Sequence, residues 1–200
     1  DTLSLHDALP ILARAAALYP AKSRGLNHLR MVLMAHIHDI AEYKVPDYTP
    51  SDKISADEKH ELERQAIRAI TENVGEAGKL VMELWEEYNA KQTPEAQIIS
   101  QLDKLDAAVQ AFEYSFELSW KTMKRILNAK GQNTNSPKDT FRLAALENMI
   151  QDPEIWFYFL NMRNLSVHTY NEANMKIVVA CFPQFVIEST KFLNNLGVPG

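Results

Sequence analysis

Residues 94–130 read PEAQIISQLDKLDAAVQAFEYSFELSWKTMKRILNAK. Apolar side chains recur in this segment at steps of three and four residues, which places them along one face of a single long α-helix. The stripe consists of Ile98, Leu102, Leu105, Val109, Phe112, Phe116, Trp120, Met123 and Leu127. Because an apolar stripe of this length needs other helices to cover it, the segment predicts a helical bundle built around one long helix.

Helix start signals divide the rest of the chain into further helices. Thr93, Ser136 and Asp152 each precede a proline, and a short polar residue followed by proline is typical of a helix N-terminus. No run of alternating polar and apolar residues indicates a strand. The sequence therefore predicts an all-α protein, whose last helix should kink at Pro183. We expect helices near residues 8–19, 24–42, 55–73, 76–91, 94–130, 137–150, 153–165 and 172–196.

The composition excludes several classes of protein. The 200 residues are 46% hydrophobic and 24% charged, which is ordinary for a folded chain and rules out extended disorder. No uninterrupted apolar run is longer than that of residues 177–182, which is far shorter than a membrane-spanning helix of about 20 residues, so no membrane partner is expected. The single cysteine, Cys181, excludes an internal disulfide and a cysteine-based zinc site, and it favours a cytoplasmic location.

Charge is distributed unevenly along the chain. Residues 107–200 carry 9 Lys and Arg against 8 Asp and Glu, which leaves 12 against 18 for residues 1–106. The two parts therefore have net charges of +1 and −6. An acidic first half does not suit a DNA duplex, whereas it suits a site that gathers carboxylates around a cation.

A first group of ionisable residues lies at the end of an apolar helix, in the segment MVLMAHIHDIAEYKVPDYTPSD (residues 31–52). His38 and Asp39 are adjacent, Glu42 follows one helical turn later on the same side, and Asp47 lies in a proline-bounded loop. Buried apolar helices seldom carry so many ionisable groups unless the groups are paired or hold a metal ion. From the residues alone, a metal site and an ordinary polar helix terminus both remain open.

These residues begin a series of motifs that resembles one enzyme family. The motifs HDIAE (38–42) and Asp47 are followed by ELWEEY (83–88), TPEA (93–96) and QLDK (101–104). Over residues 22–114 the chain resembles the HD-domain phosphohydrolases, and among them the 5′-deoxynucleotidases. The resemblance implies hydrolysis of nucleoside 5′-monophosphates, deoxy forms included, with a divalent metal ion such as Mn, Co, Mg or Zn.

The same resemblance implies a role for each residue. His38, Asp39 and Asp103 match the family's metal ligands, and Glu42 and Asp47 match the acidic residues that act beside the metal on the substrate and the attacking water. A metal ion held by imidazole and carboxylates acidifies its bound water and neutralises phosphate charge. A neighbouring carboxylate can then accept or donate the proton.

Two departures from the family pattern predict an impaired enzyme. The family places a further metal-binding histidine on an earlier helix, where this chain has the opening DTLSLHDALPI, which resembles translated adapter sequence. His6 stands in that opening, and Pro46 stands where the family usually has glycine. We therefore assign residues 1–21 to no domain, and we expect weak metal binding and little turnover.

A second group of polar residues occurs in the segment MRNLSVHTYNE (162–172). Asn164 and His168 are four residues apart and share a face if the helix continues, whereas Arg163 points about 140° away from His168. Histidine can move a proton and arginine can hold a phosphate, but an ordinary surface pair can have the same spacing.

The surrounding motifs resemble a second family. FEYSFELSWK (112–121), SPKD (136–139), DPEIW (152–156) and RNLSVHTY (163–170) are similar to HEPN proteins of the nucleotidyltransferase substrate-binding branch. The resemblance implies a homodimeric helical bundle that pairs with a minimal nucleotidyltransferase in a toxin–antitoxin arrangement.

This second resemblance also implies residue roles. In active relatives, residues matching Arg163 and His168 cleave RNA without a metal ion, and a tyrosine matching Tyr170 is adenylylated by the partner. Other members of the branch are not shown to be ribonucleases, so a pure binding role for this half of the chain remains open.

The two resemblances overlap at residues 106–114. We expect an HD domain over 22–106 and a HEPN-like domain over 107–200, with the long helix shared between them. A natural fusion and a chain joined at a short common match both remain open. The sequence favours a nucleotide phosphohydrolase, and the alternative is a HEPN toxin or substrate-binding subunit.

Overall fold

The computed structural model describes residues 25–46, 48, 52–168 and 172–197. No strand occurs among these residues, which form helices and connecting turns, so the predicted all-α class is confirmed. The chain divides into two compact units, with the boundary between Asp106 and Ala107. The helix expected near residues 8–19 lies outside the described residues. None of the described helices is long and apolar enough to cross a membrane.

Among the described residues, the first unit contains three complete α-helices and the start of a fourth. Their bounds are His28–Ile37 for α1, Ala56–Thr71 for α2, Gly75–Ala90 for α3 and Pro94–Ala129 for the long α4. Fully buried apolar side chains of all four helices form one core, which includes Met31, Met34, Ile67, Leu84, Trp85 and Ile99. The unit therefore has its own hydrophobic interior.

A charged contact ties three of these helices together. Arg30 on α1 donates from Nε to Glu87 Oε2 on α3 at 2.6 Å, and its terminal nitrogen lies 2.6 Å from Glu83 Oε1. Thr93, which precedes the first residue of α4, donates from Oγ1 to Glu87 Oε1 at 2.6 Å. Both oxygens of the Glu87 carboxylate are thus bound between helices.

Helix α1 is shorter than the sequence predicts. The expected helix over residues 24–42 ends at Ile37, and a 3-10 helix over Ile40–Tyr43 follows. Asp39 has φ −98° and ψ 4°, which is outside the α-helical region. The His38 imidazole lies beside the chain at this break, with Nδ1 3.1 Å from the Ala35 carbonyl oxygen. His38 itself keeps helical dihedrals, φ −57° and ψ −37°, so the departure from the α-helix begins at Asp39.

In the part of the second unit that the structure describes, the remainder of α4 is joined by four further helices. These are Pro137–Leu146 for α5, Pro153–Ser166 for α6, Glu172–Ala180 for α7 and Phe182–Asn195 for α8. The starts of α5 and α6 follow their sequence signals, because the Ser136 hydroxyl accepts the Asp139 N–H at 3.1 Å and the Asp152 carboxylate accepts the Glu154 N–H at 2.8 Å.

The core of the second unit is largely aromatic. Trp156 is 1% exposed and makes edge-to-face contacts with Phe159, Phe185 and Phe192 at ring-centroid distances of 5.8, 6.2 and 6.0 Å. Cys181 is buried in the same core at 1% exposure. Aromatic side chains at helical spacing thus serve packing here, with the extra stabilisation that edge-to-face pairs supply.

The last predicted helix is two helices in the structure. Residues 172–196 do not form one kinked rod, since α7 ends at Ala180 and α8 starts at Phe182. Pro183 lies in the first turn of α8, where the missing N–H of proline costs no hydrogen bond. The proline therefore begins a helix instead of bending one.

Candidate functional site

Three side chains that are distant in sequence meet in the first unit. One ligand atom from each of His38, Asp39 and Asp103 lies within 4.8 Å of the others. His38 Nε2 is 3.0 Å from Asp39 Oδ2 and 3.4 Å from Asp103 Oδ1. His38 and Asp39 lie at the break after α1, and Asp103 lies on α4. The fold thus brings together the three residues that the sequence indicated as metal ligands.

The His38 imidazole is oriented by the backbone. Its Nδ1 lies 3.1 Å from the Ala35 carbonyl oxygen. A carbonyl oxygen only accepts hydrogen bonds, so Nδ1 carries the hydrogen and donates, and Nε2 faces the two carboxylates. Metal-binding histidines commonly have this arrangement, because the bond at one ring nitrogen fixes the tautomer that leaves the other free for the ion.

Burial differs sharply across the cluster. The His38 side chain is 2% exposed, whereas those of Asp39 and Asp103 are 33% and 38% exposed. The imidazole therefore forms the inner wall, and the carboxylates lie toward solvent. A substrate or an ion can reach the carboxylate side of the cluster without passing through the core.

His38 and Asp103 shift each other's pKa values toward their charged forms. Burial by itself would lower the pKa of His38, but hydrogen bonds with Asp103 and Asp39 outweigh it and raise the pKa to about 9. The hydrogen bond from His38 in turn holds the pKa of Asp103 below its ordinary value. The two carboxylates thus stabilise positive charge at the position that a proton on Nε2, or a metal ion, would occupy.

The donor set fits a divalent metal ion. Imidazole nitrogen combined with carboxylate oxygen suits Mn, Co and Zn, and carboxylates suit Mg. Metal–ligand bonds of about 2.0–2.2 Å need side chains that already lie close together, and the 4.8 Å limit on this cluster meets that need. His38, Asp39 and Asp103 would hold the ion.

Sequence reasoning missed Tyr88 as a neighbour of this cluster. The Tyr88 hydroxyl donates to Asp103 Oδ2 at 3.0 Å, and the ring meets the His38 ring edge-on with centroids 5.2 Å apart. Tyr88 is the last residue of the motif ELWEEY, which contributes to the resemblance. Its position on the buried face of α3 predicts packing, and only the fold reveals the hydroxyl contact.

The other residues predicted for this site have different positions. Glu42 is exposed on the 3-10 helix and, among the described residues, is outside the cluster of ligand atoms. The expected one-turn spacing from His38 assumed a continuous α-helix, and the break after Ile37 removes that assumption. Asp47 and His6 lie outside the described residues. Roles for Glu42 and Asp47 stay predictions.

The Arg–His motif lies at the end of α6 in the second unit. Arg163 Nε is 3.1 Å from Glu117 Oε1 on α4, in an ion pair that is not aligned as a hydrogen bond. His168 is exposed two residues beyond the last residue of α6, and its backbone N–H donates to Leu165 O at 2.9 Å. Because α6 ends at Ser166, the helical face expected for Asn164 and His168 does not extend to His168.

Tyr170 lies outside the described residues, so the expected grouping of Arg163, His168 and Tyr170 stays a prediction. The end of α6 is nevertheless well fixed. The Ser166 side chain is buried, and its hydroxyl lies within hydrogen-bond distance of two acceptors, the Glu113 carboxylate on α4 and the Arg163 carbonyl oxygen. Helix α4 thus supports the segment that carries the motif.

Both expected families match the chain. The model of the nucleotidyltransferase substrate binding protein like family matches residues 72–198, and the HD domain model matches residues 10–108. The chain therefore belongs to the nucleotidyltransferase substrate binding protein like family, and it also carries an HD domain match. The two matches overlap over residues 72–108, a longer stretch than the overlap at 106–114 that the motifs suggested.

Individual relatives show the same division. The chain is 41% identical over 92 residues to 5′-deoxynucleotidase HDDC2 of Dictyostelium discoideum, which covers 46% of this chain and 48% of the relative. It is 42% identical over 94 residues to the human protein of that name, with 46% of each chain covered. The chain spans about half the length of these relatives.

A relative of the other kind is the protein named "Probable ribonuclease HepT" in Haemophilus influenzae. It is 37% identical over 94 residues, which cover 44% of this chain and 64% of the relative. The resemblances to 5′-deoxynucleotidases and to HEPN-type substrate-binding proteins, both inferred from motifs, are thus confirmed.

Proposed function

We propose that the chain is a metal-dependent phosphohydrolase of the HD type that acts on nucleoside 5′-monophosphates, including deoxynucleotides. The observation that carries the proposal is the meeting of His38, Asp39 and Asp103, although 64 residues separate Asp39 from Asp103. The relatives named 5′-deoxynucleotidases support the choice of substrate.

The residues of the first unit would share the chemistry as follows. A bound divalent ion would acidify a water molecule and neutralise charge on the phosphate. His38 would offer Nε2, because its Nδ1 hydrogen is engaged by Ala35. Asp39 and Asp103 would contribute carboxylate oxygens from the solvent side. Glu42 and Asp47 would exchange protons with the water or the leaving oxygen.

We also propose that the activity is low in this chain. The described cluster offers three protein ligands, and the further histidine that the family implies would come from an earlier helix, where this chain has His6 in an opening that resembles translated adapter sequence. A loosely held ion cannot keep a water molecule in line with the phosphorus atom, and misplacement of reacting groups strongly reduces rate.

Phosphate release from deoxynucleoside monophosphates tests both statements. With Mn²⁺ or Co²⁺ we expect slow hydrolysis that EDTA stops and that Asp39→Ala abolishes. The control Asp57→Ala removes an exposed carboxylate of α2 outside the cluster and should leave the rate unchanged. Replacing residues 1–21 with the first helix of a relative should raise the rate. Turnover as fast as that of an intact relative would contradict the proposed impairment.

The second unit supports a second candidate function. We propose that it is a HEPN-type subunit that forms a homodimer, binds a minimal nucleotidyltransferase in a toxin–antitoxin pair, and cleaves RNA slowly. The match over residues 72–198 and the exposed position of His168 beyond α6 support this proposal. Two copies of Arg163 and His168 across a two-fold axis would supply a base, an acid and positive charge at one phosphate.

RNA cleavage in the presence of EDTA tests this candidate. We expect weak, salt-sensitive cleavage, because the second half of the chain has a net charge of only +1. His168→Ala should abolish cleavage without unfolding the chain, and the control His28→Ala, which removes a half-buried histidine of α1 in the first unit, should not. Inhibition of cleavage by EDTA would instead assign the activity to the first unit.

Co-expression with a minimal nucleotidyltransferase tests the partner. We expect an increase in the intact mass of the chain that Tyr170→Phe removes, because the proposed modification is on Tyr170. An attached nucleotidyl group would block the site with its bulk and its phosphate charge. No mass increase beside an active partner would favour a plain binding module. A cytoplasmic location stays a prediction from the sequence.

A further inference from the structure

We infer that Tyr88 is a positioning residue of the metal centre, and that its hydroxyl turns Asp103 so that one carboxylate oxygen faces His38. This inference rests on the proposed metal-dependent function. The Tyr88 hydroxyl donates to Asp103 Oδ2 at 3.0 Å, while Asp103 Oδ1 lies 3.4 Å from His38 Nε2. The two oxygens of one carboxylate thus have separate partners, Tyr88 for Oδ2 and His38 for Oδ1.

The hydrogen bond from Tyr88 is needed to fix the orientation of the Asp103 carboxylate, because that side chain is not buried. Its side chain is 38% exposed on α4, so solvent would otherwise let the carboxylate rotate. Tyr88 is only 9% exposed, and its ring is fixed in the core of the first unit. A hydroxyl on a fixed ring therefore restricts a carboxylate on a half-open surface.

Tyr88 also borders the second ligand. Its ring meets the His38 ring edge-on at a centroid distance of 5.2 Å and an interplanar angle of 62°. One side chain thus contacts the buried imidazole through its ring and the exposed carboxylate through its hydroxyl. Hydrogen bonds of this kind orient ligands, and their loss commonly weakens metal binding by about 10- to 100-fold.

The hydroxyl and the ring have separable roles. Ser100 is buried on α4 three residues before Asp103, so the two side chains lie on the same face of that helix and Ser100 is a polar neighbour of the Tyr88 hydroxyl. Phenylalanine at position 88 would keep the ring, its packing and the contact with His38. Tyr88→Phe therefore removes the hydroxyl and its bond to Asp103 while leaving the ring in place.

Metal titration of Tyr88→Phe tests the inference. In calorimetry with Mn²⁺ we expect affinity about 10- to 100-fold weaker than in the unsubstituted chain, with an unchanged melting temperature in EDTA. The control Tyr43→Phe removes a hydroxyl on the neighbouring 3-10 helix from a residue that is 86% exposed, and it should bind as the unsubstituted chain does. The Co²⁺ absorption spectrum should change in Tyr88→Phe and not in Tyr43→Phe.

Two further variants distinguish a failure of the positioning role from a failure of the metal centre itself. Ser100→Ala keeps Tyr88 and removes a polar neighbour of its hydroxyl, so it should weaken Mn²⁺ binding by a smaller factor, and it serves if Tyr88→Phe melts early. Unchanged affinity in both variants would overturn the inference while leaving the metal centre standing. Equal binding by Asp103→Asn and the unsubstituted chain would overturn the metal centre itself, and the positioning role with it.

Discussion

Gly78 lies where α2 and α3 approach so closely that there is room for the hydrogen atom of glycine but not for a methyl group. It lies in the second turn of α3, against the end of α2, and a Cβ atom built there would be 2.3 Å from the Thr71 carbonyl oxygen. That oxygen belongs to the backbone and accepts the Val74 N–H at 3.1 Å, so it cannot move aside freely. Glycine at this position therefore permits the close approach of α2 and α3.

Gly78→Ala should destabilise the first unit. We expect a loss of about 1–3 kcal/mol in the free energy of unfolding, because the added methyl group forces the two helices apart. Urea unfolding followed by circular dichroism measures the loss. Lys79→Ala is the matched control, since its side chain is 76% exposed and should change stability little. Equal stability of both variants would contradict the close contact.

The helices show why some boundaries follow from sequence and others do not. The starts of α5 and α6 are predictable because Ser136 and Asp152 bond to backbone groups within three residues. The end of α1 is not, because the break at His38 and Asp39 accompanies contacts with Asp103 on a distant helix. The division at Cys181 was also missed, since Pro183 is compatible with a kink and with a helix start.

The residues of the candidate metal centre could likewise be predicted only in part from the sequence. Local spacing identified His38 and Asp39 as neighbours that can share an ion. Asp103 was indicated only through family resemblance, because no local pattern reports a contact across 64 residues. Tyr88 was missed, since a tyrosine on an apolar helical face looks the same whether or not its hydroxyl reaches a carboxylate.

The contact between α1, α3 and the start of α4 supports a prediction about stability and pH. Burial alone would raise the pKa of Glu87, but hydrogen bonds from Arg30 and Thr93 outweigh it and lower the pKa. The contact therefore stabilises the fold at neutral pH, and this stabilisation is lost as pH falls through the lowered pKa. Glu87→Gln should lower the free energy of unfolding by about 2 kcal/mol at pH 7.

The difference between Glu87→Gln and the unsubstituted chain should shrink in acid, and urea unfolding at several pH values measures it. Glu76→Gln is the control, because its side chain is 88% exposed and pairs with an exposed lysine on the same helix. A stability difference that stays constant down to acid pH would show that the charge of Glu87 is not what stabilises the contact.

At the scale of the whole molecule, the two units have separate hydrophobic cores. We expect calorimetric unfolding to show two transitions, because each core can melt as its own cooperative unit. Mn²⁺ should raise the temperature of only one of them, since a ligand stabilises the unit that binds it. Asp39→Ala should remove that shift. A single transition that moves as a whole with Mn²⁺ would contradict independent melting.

Because Cys181 is buried, the reactivity of its thiol reports on opening of the second unit. The thiol is 1% exposed, burial raises its pKa to about 11, and the sequence contains no other cysteine. A maleimide or an aromatic disulfide reagent should therefore not react with the native chain, and it should label Cys181 only when this core opens. The labelling rate would then measure how often the core of the second unit opens. No dye or tag would have to be engineered into the chain.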